Sequence, residues 1–208
     1  MSSLQQTFGN IDIYLFDQLL RGRIAPGMRV LDAGCGGGRN LVYLLREGYE
    51  VFAADADRSA VESVRRLAAT LAPGLPADNF RVEPIEAMTF PDAFADVVIS
   101  NGVINLATDK SKVFREAARL LKSGGRFAIS DIVTEVQLPE TIVCNSTLWA
   151  ACIGGAAQQD NYRQMIAATG LQVVTVQDNP QYQFISDNAK GASKKFGVKS
   201  VSLLAVKT

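Results

Sequence analysis

Between Met28 and Val133, strand-type runs alternate with helical segments five times, and this order constrains the fold more than any other feature of the chain. "MRVLDAG", "YEVFAAD", "NFRVEP", "FADVVIS" and "GRFAISDIV" are short, apolar and rich in β-branched or aromatic residues, as buried strands are. "GRNLVYLLREG", "DRSAVESVRRLAATLA" and "DKSKVFREAARLLKSGG" have helical spacing. Leu41, Leu44 and Leu45 share one face of the first, with Gly48 as its stop, and Pro73, Gly74 and Pro76 close the second. Strands joined by helical crossovers lie parallel, so the order predicts an α/β fold with a doubly wound, Rossmann-like, mostly parallel sheet. In such sheets ligands sit at the carboxyl ends of the strands.

The flanks read differently. "NIDIYLFDQLLRG" predicts a short amphipathic helix capped by Asn10 and broken by Pro26-Gly27. "PETIVCNSTLWAACIGGA" and "NYRQMIAATG" have helical character. "LQVVTVQD" and "VKSVSLLAVKT" predict late, antiparallel strands at the sheet edge, and the polar "SDNAKGASKKFG" predicts an exposed loop. No internal repeat or second domain is visible. We expect one domain over residues 1–208, with an N-terminal helix or lid (1–25), a ligand-binding core (26–132) and substrate-side helices and edge strands (133–208).

Composition narrows the function. The 208 residues are 48% hydrophobic, enough for a large core. Lys plus Arg and Asp plus Glu both total 21, a balance that argues against a nucleic-acid partner. No apolar run approaches the length of a membrane span, and "MSSLQQTFGN" lacks the basic start and apolar middle of a signal peptide. The three cysteines, Cys35, Cys144 and Cys152, show no CxxC spacing, so no metal site is expected. The expectation is a soluble cytoplasmic protein with free thiols. Histidine is absent, which removes the commonest general base.

"VLDAGCGGGRN" places Gly34, Gly36, Gly37 and Gly38 between a strand and a helix, where backbone can approach a ligand closely. The sixth position of a G-x-G-x-x-G dinucleotide pattern is Arg39, so that pattern fails. Asp32 would repel a pyrophosphate and suits an ammonium group. Asp55, ending the next strand, can accept from two ribose hydroxyls. These features favour S-adenosylmethionine over a nicotinamide dinucleotide.

"VLDAGCGGGRN", "VFAADADRSAV" and "FADVVISNGV" together resemble the cofactor motifs of class I S-adenosylmethionine-dependent methyltransferases over residues 26–132. The resemblance implies that fold and that cofactor. It implies that Asp32, Gly34 and Gly36 hold the methionine end and Asp55 the ribose, and it adds Ala33, Cys35, Arg39, Asn40 and Ala56 to the cofactor-binding residues. Ile85 and Glu86 would flank the adenine, and Asn101, Gly102 and Val103 would form a lip contacting the cofactor through backbone. Glu86 reads equally as a solvated loop carboxylate, and Asp57 reads as a helix cap.

Residues 80–170 resemble a narrower family, the arsenite methyltransferases, through "PIEAM", "SNGVINLATDK", "LLKSGGRFAISDI", "LWAACIGGA" and "YRQMIAATGL". That family binds trivalent arsenic through cysteine thiolates. Cys152 matches one of those cysteines, Gly102 stands where a second is expected, and no cysteine precedes Cys35. Cys152 reads either as a remaining ligand or as a small buried hydrophobe, and Trp149 as core or pocket lining.

Asp131, ending the fifth strand, and Tyr162 are the other candidates for substrate contact, Asp131 reading equally as a loop cap. The resulting expectation is methyl transfer to a small-molecule acceptor without the full thiolate site. Arsenite methylation with reduced or external thiol ligation, and a non-catalytic cofactor-binding protein, are the alternatives.

Overall fold

The computed structural model describes residues 3–143, 153–184 and 187–208. An eight-stranded sheet carries the fold, and the segments predicted as strands form seven of its strands. The strands are β1 (Arg29–Ala33), β2 (Glu50–Asp55), β3 (Phe80–Val82), β4 (Ala95–Asn101), β5 (Leu121–Thr134), β6 (Ala157–Gln158), β7 (Leu171–Asp178) and β8 (Lys199–Lys207). Their order is β3-β2-β1-β4-β5-β8-β7, with the two-residue β6 paired to β5 off this path. The pairs from β3 to β5 are parallel, and β8 is antiparallel to both β5 and β7. The last strand therefore inserts between β5 and β7, which itself runs in the same sense as β5. The strand order reverses between β1 and β4, leaving a crevice at their carboxyl ends.

The pleat sorts the core onto two faces. Val30, Val51 and Ala53 pack on one face with Leu41, Leu44, Val61 and Val64, from and beside the helices α3 (Val42–Arg46) and α4 (Arg58–Leu71). Leu31, Phe52 and Ala54 point the other way. They join a cluster with Phe114 of α5 (Lys110–Leu120) and Tyr162 and Ile166 of α7 (Gln159–Ala167). Near-continuous apolar strands such as "VLDA" follow from burial on both faces. Asp57 caps α4, accepting from the Ser59 N–H at 2.8 Å, as its position suggested. Among the described residues no helix is long and apolar enough to cross a membrane.

Three local expectations change. A first helix, α1 (Ser3–Phe8), precedes α2 (Ile13–Leu20), and Asp12 rather than Asn10 caps α2. The extended backbone of Asp12 aims its carboxylate at the Tyr14 and Leu15 N–H groups. The helix after the glycine loop is only Val42–Arg46, because the preceding residues form turns such as Leu41 N–H to Gly38 C=O. The segment expected as a loop contains α8 (Asp187–Phe196). Phe196 packs onto the cluster of Ile132, Leu138, Ile153 and Val198, and Gly197 ends the helix at φ 61°. Lys194 and Lys195 lie in its last turn, where the helix dipole favours cations. Tertiary packing of one aromatic side chain outweighs the polar composition. Of the helix expected in "PETIVCNSTLWAACIGGA", α6 (Glu140–Val143) is seen; Cys144, Trp149 and Cys152 lie outside the described residues.

Candidate active site

The glycine loop is built on the carboxyl edge of β1 and β2. The Gly34 and Cys35 N–H groups both donate to the Ala54 carbonyl, at 2.8 and 3.2 Å. The Gly36 N–H donates to Asp55 Oδ2 at 2.9 Å, and the Asp57 N–H to Asp55 Oδ1 at 2.9 Å. One carboxylate thus fixes the loop after β1 against the loop after β2, with Ala56 exposed between its two anchors. The glycines divide the work. A Cβ on Gly34 would overlap the Val103 side chain, so Gly34 lets the β4 loop close onto the β1 loop. A Cβ on Gly36 would meet nothing within 4 Å, so that backbone faces open space, at φ 49°.

Two carboxylates in the site are buried. Asp32 is 2% exposed, and burial pushes it up to about 7, opposed by the charge of Arg39 and reinforced by that of Asp55. Burial also raises the Cys35 thiol, so this sulfur is packed inside as a thiol rather than offered as a thiolate. Ala33 is buried, and its carbonyl accepts from Ser100 Oγ at 2.9 Å. Ile85 is buried against the core, and Glu86 beside it is half-buried in a turn after β3.

Asp131, at 2% exposure, is the second buried carboxylate. Its Oδ1 accepts from Asn105 Nδ2 and the Ile132 N–H, both at 2.8 Å, and its Oδ2 from the Tyr162 hydroxyl at 3.2 Å. Burial raises Asp131 to about 7 against these donors and the charge of Lys110. Tyr162 is buried, edge-on to Phe114, and its hydroxyl is raised by burial and by Asp131. Tyr162 therefore sits beneath Asp131 and holds it, rather than lining the cavity above.

That cavity, about 580 Å³, opens over the ends of β4 and β5. Arg39, Asn101, Gly102 and Asp131 line it from the core, Asp12 and Tyr14 from the N-terminal segment, and Asn179, Gln181 and Tyr182 from beyond β7. Of the sequence candidates, the structure brings Arg39, Asn101, Gly102 and Asp131 together on this wall. Asp32 and Asp55 stay on the glycine-loop side. Gly102 has φ 72° and open space where a Cβ would be, and its N–H donates to the Ser130 carbonyl at 2.8 Å.

Sequence reasoning missed Asp12 and Asn105. Asp12 joins three elements: it caps α2, its backbone N–H donates to Asn40 Oδ1 at 3.0 Å, and its Oδ2 accepts from Asn101 Nδ2 at 2.9 Å. A cap signal was present in "NID", but nothing in the sequence paired it with residues 28 and 89 positions away. Asn105 lies in the quoted "SNGVINLATDK" but was given no role; its contacts with Asp131 and the Ile132 carbonyl give it one. Asp12→Ala removes the cap and the Asn101 bond, so we expect a loss of about 2 kcal/mol. Faster proteolysis ahead of Pro26 should accompany it. Urea unfolding and limited proteolysis measure both, and wild-type values in the two assays would refute this role.

Comparison with known proteins places the fold. An arsenite methyltransferase from Halobacterium salinarum is 32% identical over 170 residues, covering 79% of this chain and 42% of that protein. The chain thus spans less than half of this relative. The structure resembles an arsenic(III) S-adenosylmethionine methyltransferase from Chlamydomonas reinhardtii with TM-score 0.67 at 24% identity, covering 88% of this chain and 64% of the other. It also resembles a geranyl diphosphate C-methyltransferase from Streptomyces coelicolor with TM-score 0.75 at 20% identity, covering 94% and 77%. At these identities the structural likeness speaks for the fold. A family model described as a methyltransferase domain matches residues 24–170, most of the chain. The protein belongs to that methyltransferase-domain family, and it shares the fold of these S-adenosylmethionine-dependent methyltransferases.

Proposed function

We propose that this domain transfers a methyl group from S-adenosylmethionine to a small-molecule acceptor seated in the cavity over Gly102 and Asp131. The observation that carries this reading is the position of that cavity. It lies at the carboxyl ends of β4 and β5, and Arg39, from the glycine-loop segment, joins Asn101 and Gly102 on its wall. The chain's own residues suit the cofactor. Gly36 and Gly37 leave room for close backbone approach. Asp55 spends one lone pair per oxygen on the loop, which leaves acceptor capacity for two ribose hydroxyls. Asp32 offers a buried carboxylate to an ammonium, whose charge would favour the ionised form.

When bound, S-adenosylmethionine supplies a methyl group made electrophilic by its sulfonium. The protein's part is to orient the nucleophile and exclude water. In this reading Asp131 faces the acceptor and accepts a hydrogen bond or proton from it, while Asn105 and Tyr162 hold its two oxygens in place. Tyr14 and Gln181, bonded at 3.0 Å across the cavity, help close it.

A second reading, arsenite methylation, is favoured by the 32% identity to an arsenite methyltransferase. Gly102 offers that chemistry no sulfur, so a reduced set built on Cys152, or an external thiol, would have to serve. Mass spectrometry after incubation with arsenite, glutathione and S-adenosylmethionine separates the two. We expect unchanged arsenic species from the wild type, and methylated arsenic would reverse the order of the readings. Gly102→Cys would restore a thiol at a cost of about 1 kcal/mol, because the backbone there is left-handed. A folded Gly102→Cys variant that binds arsenite would show that one side chain separates the two chemistries. Tight cofactor binding without turnover across a broad acceptor panel would instead indicate a binding protein.

A further inference from the structure

Residues 83–92, between β3 and β4, are bonded from two sides. On the sheet side, the Glu83 N–H donates to the Asp55 carbonyl at 3.0 Å. The Glu83 carboxylate accepts from the Thr89 N–H at 2.8 Å and from the Thr89 hydroxyl. Arg81 donates to Thr89 Oγ1 at 2.7 Å and lies over the Phe90 ring, 4.0 Å from its centroid. On the other side α5 contributes Glu116 and Arg119, one turn apart. Glu116 Oε1 accepts from the Met88 N–H at 2.7 Å. Arg119 donates to the Met88 carbonyl at 2.8 Å and to the Phe90 carbonyl at 2.9 Å. The two side chains pair with each other twice, at 2.6 and 2.9 Å.

Glu116 and Arg119 thus do for Met88 what a neighbouring strand would, one taking its N–H and the other its carbonyl. Charge-assisted bonds of this kind are stronger than those between neutral groups. The Glu116 side chain is only 12% exposed, so water competes weakly for it. Between the anchors at Glu83 and Met88 stands a single turn, closed by the Ala87 N–H on the Pro84 carbonyl at 3.1 Å. That turn carries Ile85, packed into the core, and the half-buried Glu86.

We infer that Glu116 and Arg119 are positioning residues for the cofactor's adenine. They hold the turn in its binding shape before the cofactor arrives, with Glu86 set to accept from the exocyclic amino group. This rests on the cofactor reading above and on Ile85 and Glu86 as the residues that flank the base. Apparent affinity scales with the fraction of molecules whose site is already formed, so a turn ordered in about one molecule in ten costs about tenfold.

The probes are S-adenosylhomocysteine and S-inosylhomocysteine, in which an oxo group replaces the amino group, titrated by calorimetry into the full chain. The wild type should prefer the adenosyl compound by about tenfold or more, because the inosyl compound leaves Glu86 without its donor. Arg119→Lys and Glu116→Ala should weaken the adenosyl compound about tenfold and the inosyl compound, which gains little from the turn, by under about threefold. Asp92→Ala removes the exposed partner of Arg119, at 2.5 Å, but none of the bonds to Met88 or Phe90, so both affinities should stay at wild-type values. Hydrogen exchange of the ligand-free wild type should show the Met88 amide protected. Folded Arg119→Lys and Glu116→Ala proteins with wild-type preference overturn the inference, as does equal weakening of both compounds, the same collapse in Asp92→Ala, or an unprotected Met88 amide. A wild type that binds both compounds equally overturns it through the adenine assignment alone, and one that binds neither overturns it together with the cofactor reading.

Discussion

Asp55→Ala is expected to weaken S-adenosylmethionine binding at least 100-fold, to the edge of calorimetric detection, while leaving the fold intact. Asp55 has two tasks. Its oxygens accept the Gly36 and Asp57 N–H groups, which holds the loop after β1 against the loop after β2. In the proposed function its remaining lone pairs serve the ribose hydroxyls. Hydrogen bonds to a charged group are worth about 1.5–3 kcal/mol each, so losing the loop anchor and the ribose acceptor together exceeds the roughly 3 kcal/mol that 100-fold requires. Asp55 is only half-buried, at the end of its strand, so its removal leaves the core untouched. Asp55→Asn keeps one good acceptor and should fall between, about tenfold weaker than wild type. Wild-type affinity in a folded Asp55→Ala protein would sink the assignment.

Asp131→Asn is expected to stabilise the protein at pH 8 and to leave it nearly unchanged at pH 4. Burial raises the folded-state value of Asp131 from an ordinary 3.8 to about 7. Between those values the folded state holds a proton that the unfolded chain releases. Stability is therefore fully present below the unfolded value and declines as pH rises through the folded one. At about 1.4 kcal/mol per pKa unit, the decline approaches about 4 kcal/mol above pH 7. The neutral amide escapes that cost and can still accept from Asn105 and Ile132. Urea unfolding of both proteins across pH 4 to 8 gives the difference directly, and a gap independent of pH would refute the mechanism. Asp32, raised to about 7 by the same burial, adds a parallel decline that the substitution does not remove. The same variant should lose methyl transfer, which is the stability–activity opposition expected where a carboxylate is buried for function.

Much of this architecture was legible because its signals are local. Period, strand length and turn residues act within a few positions, so "VLDAGCGGGRN" announced strand, loop and helix in one stretch. Asp55 stood where the end of β2 would place a carboxylate. The failures are equally local in origin. "SDNAKGASKKFG" looked like a loop because its composition is polar, and Phe196 could not reveal that it had a hydrophobic cluster to dock onto. The role given to Gly34 also shifted. As a member of a glycine-rich loop it was read as facing a ligand, yet the space a Cβ would need is filled by Val103, from another strand end.

By itself the sequence determined the parallel core and the carboxylates carried near the carboxyl ends of β1, β2 and β5, since each follows from residue order along one strand or turn. Only the tertiary structure decided how those ends meet. It set Asp12 between Asn40 and Asn101 and buried Tyr162 beneath Asp131. Those are contacts between residues as many as 89 positions apart, and burial, which sets both the packing and the charge state of Asp32 and Asp131, belongs to the assembled fold and to no segment of it.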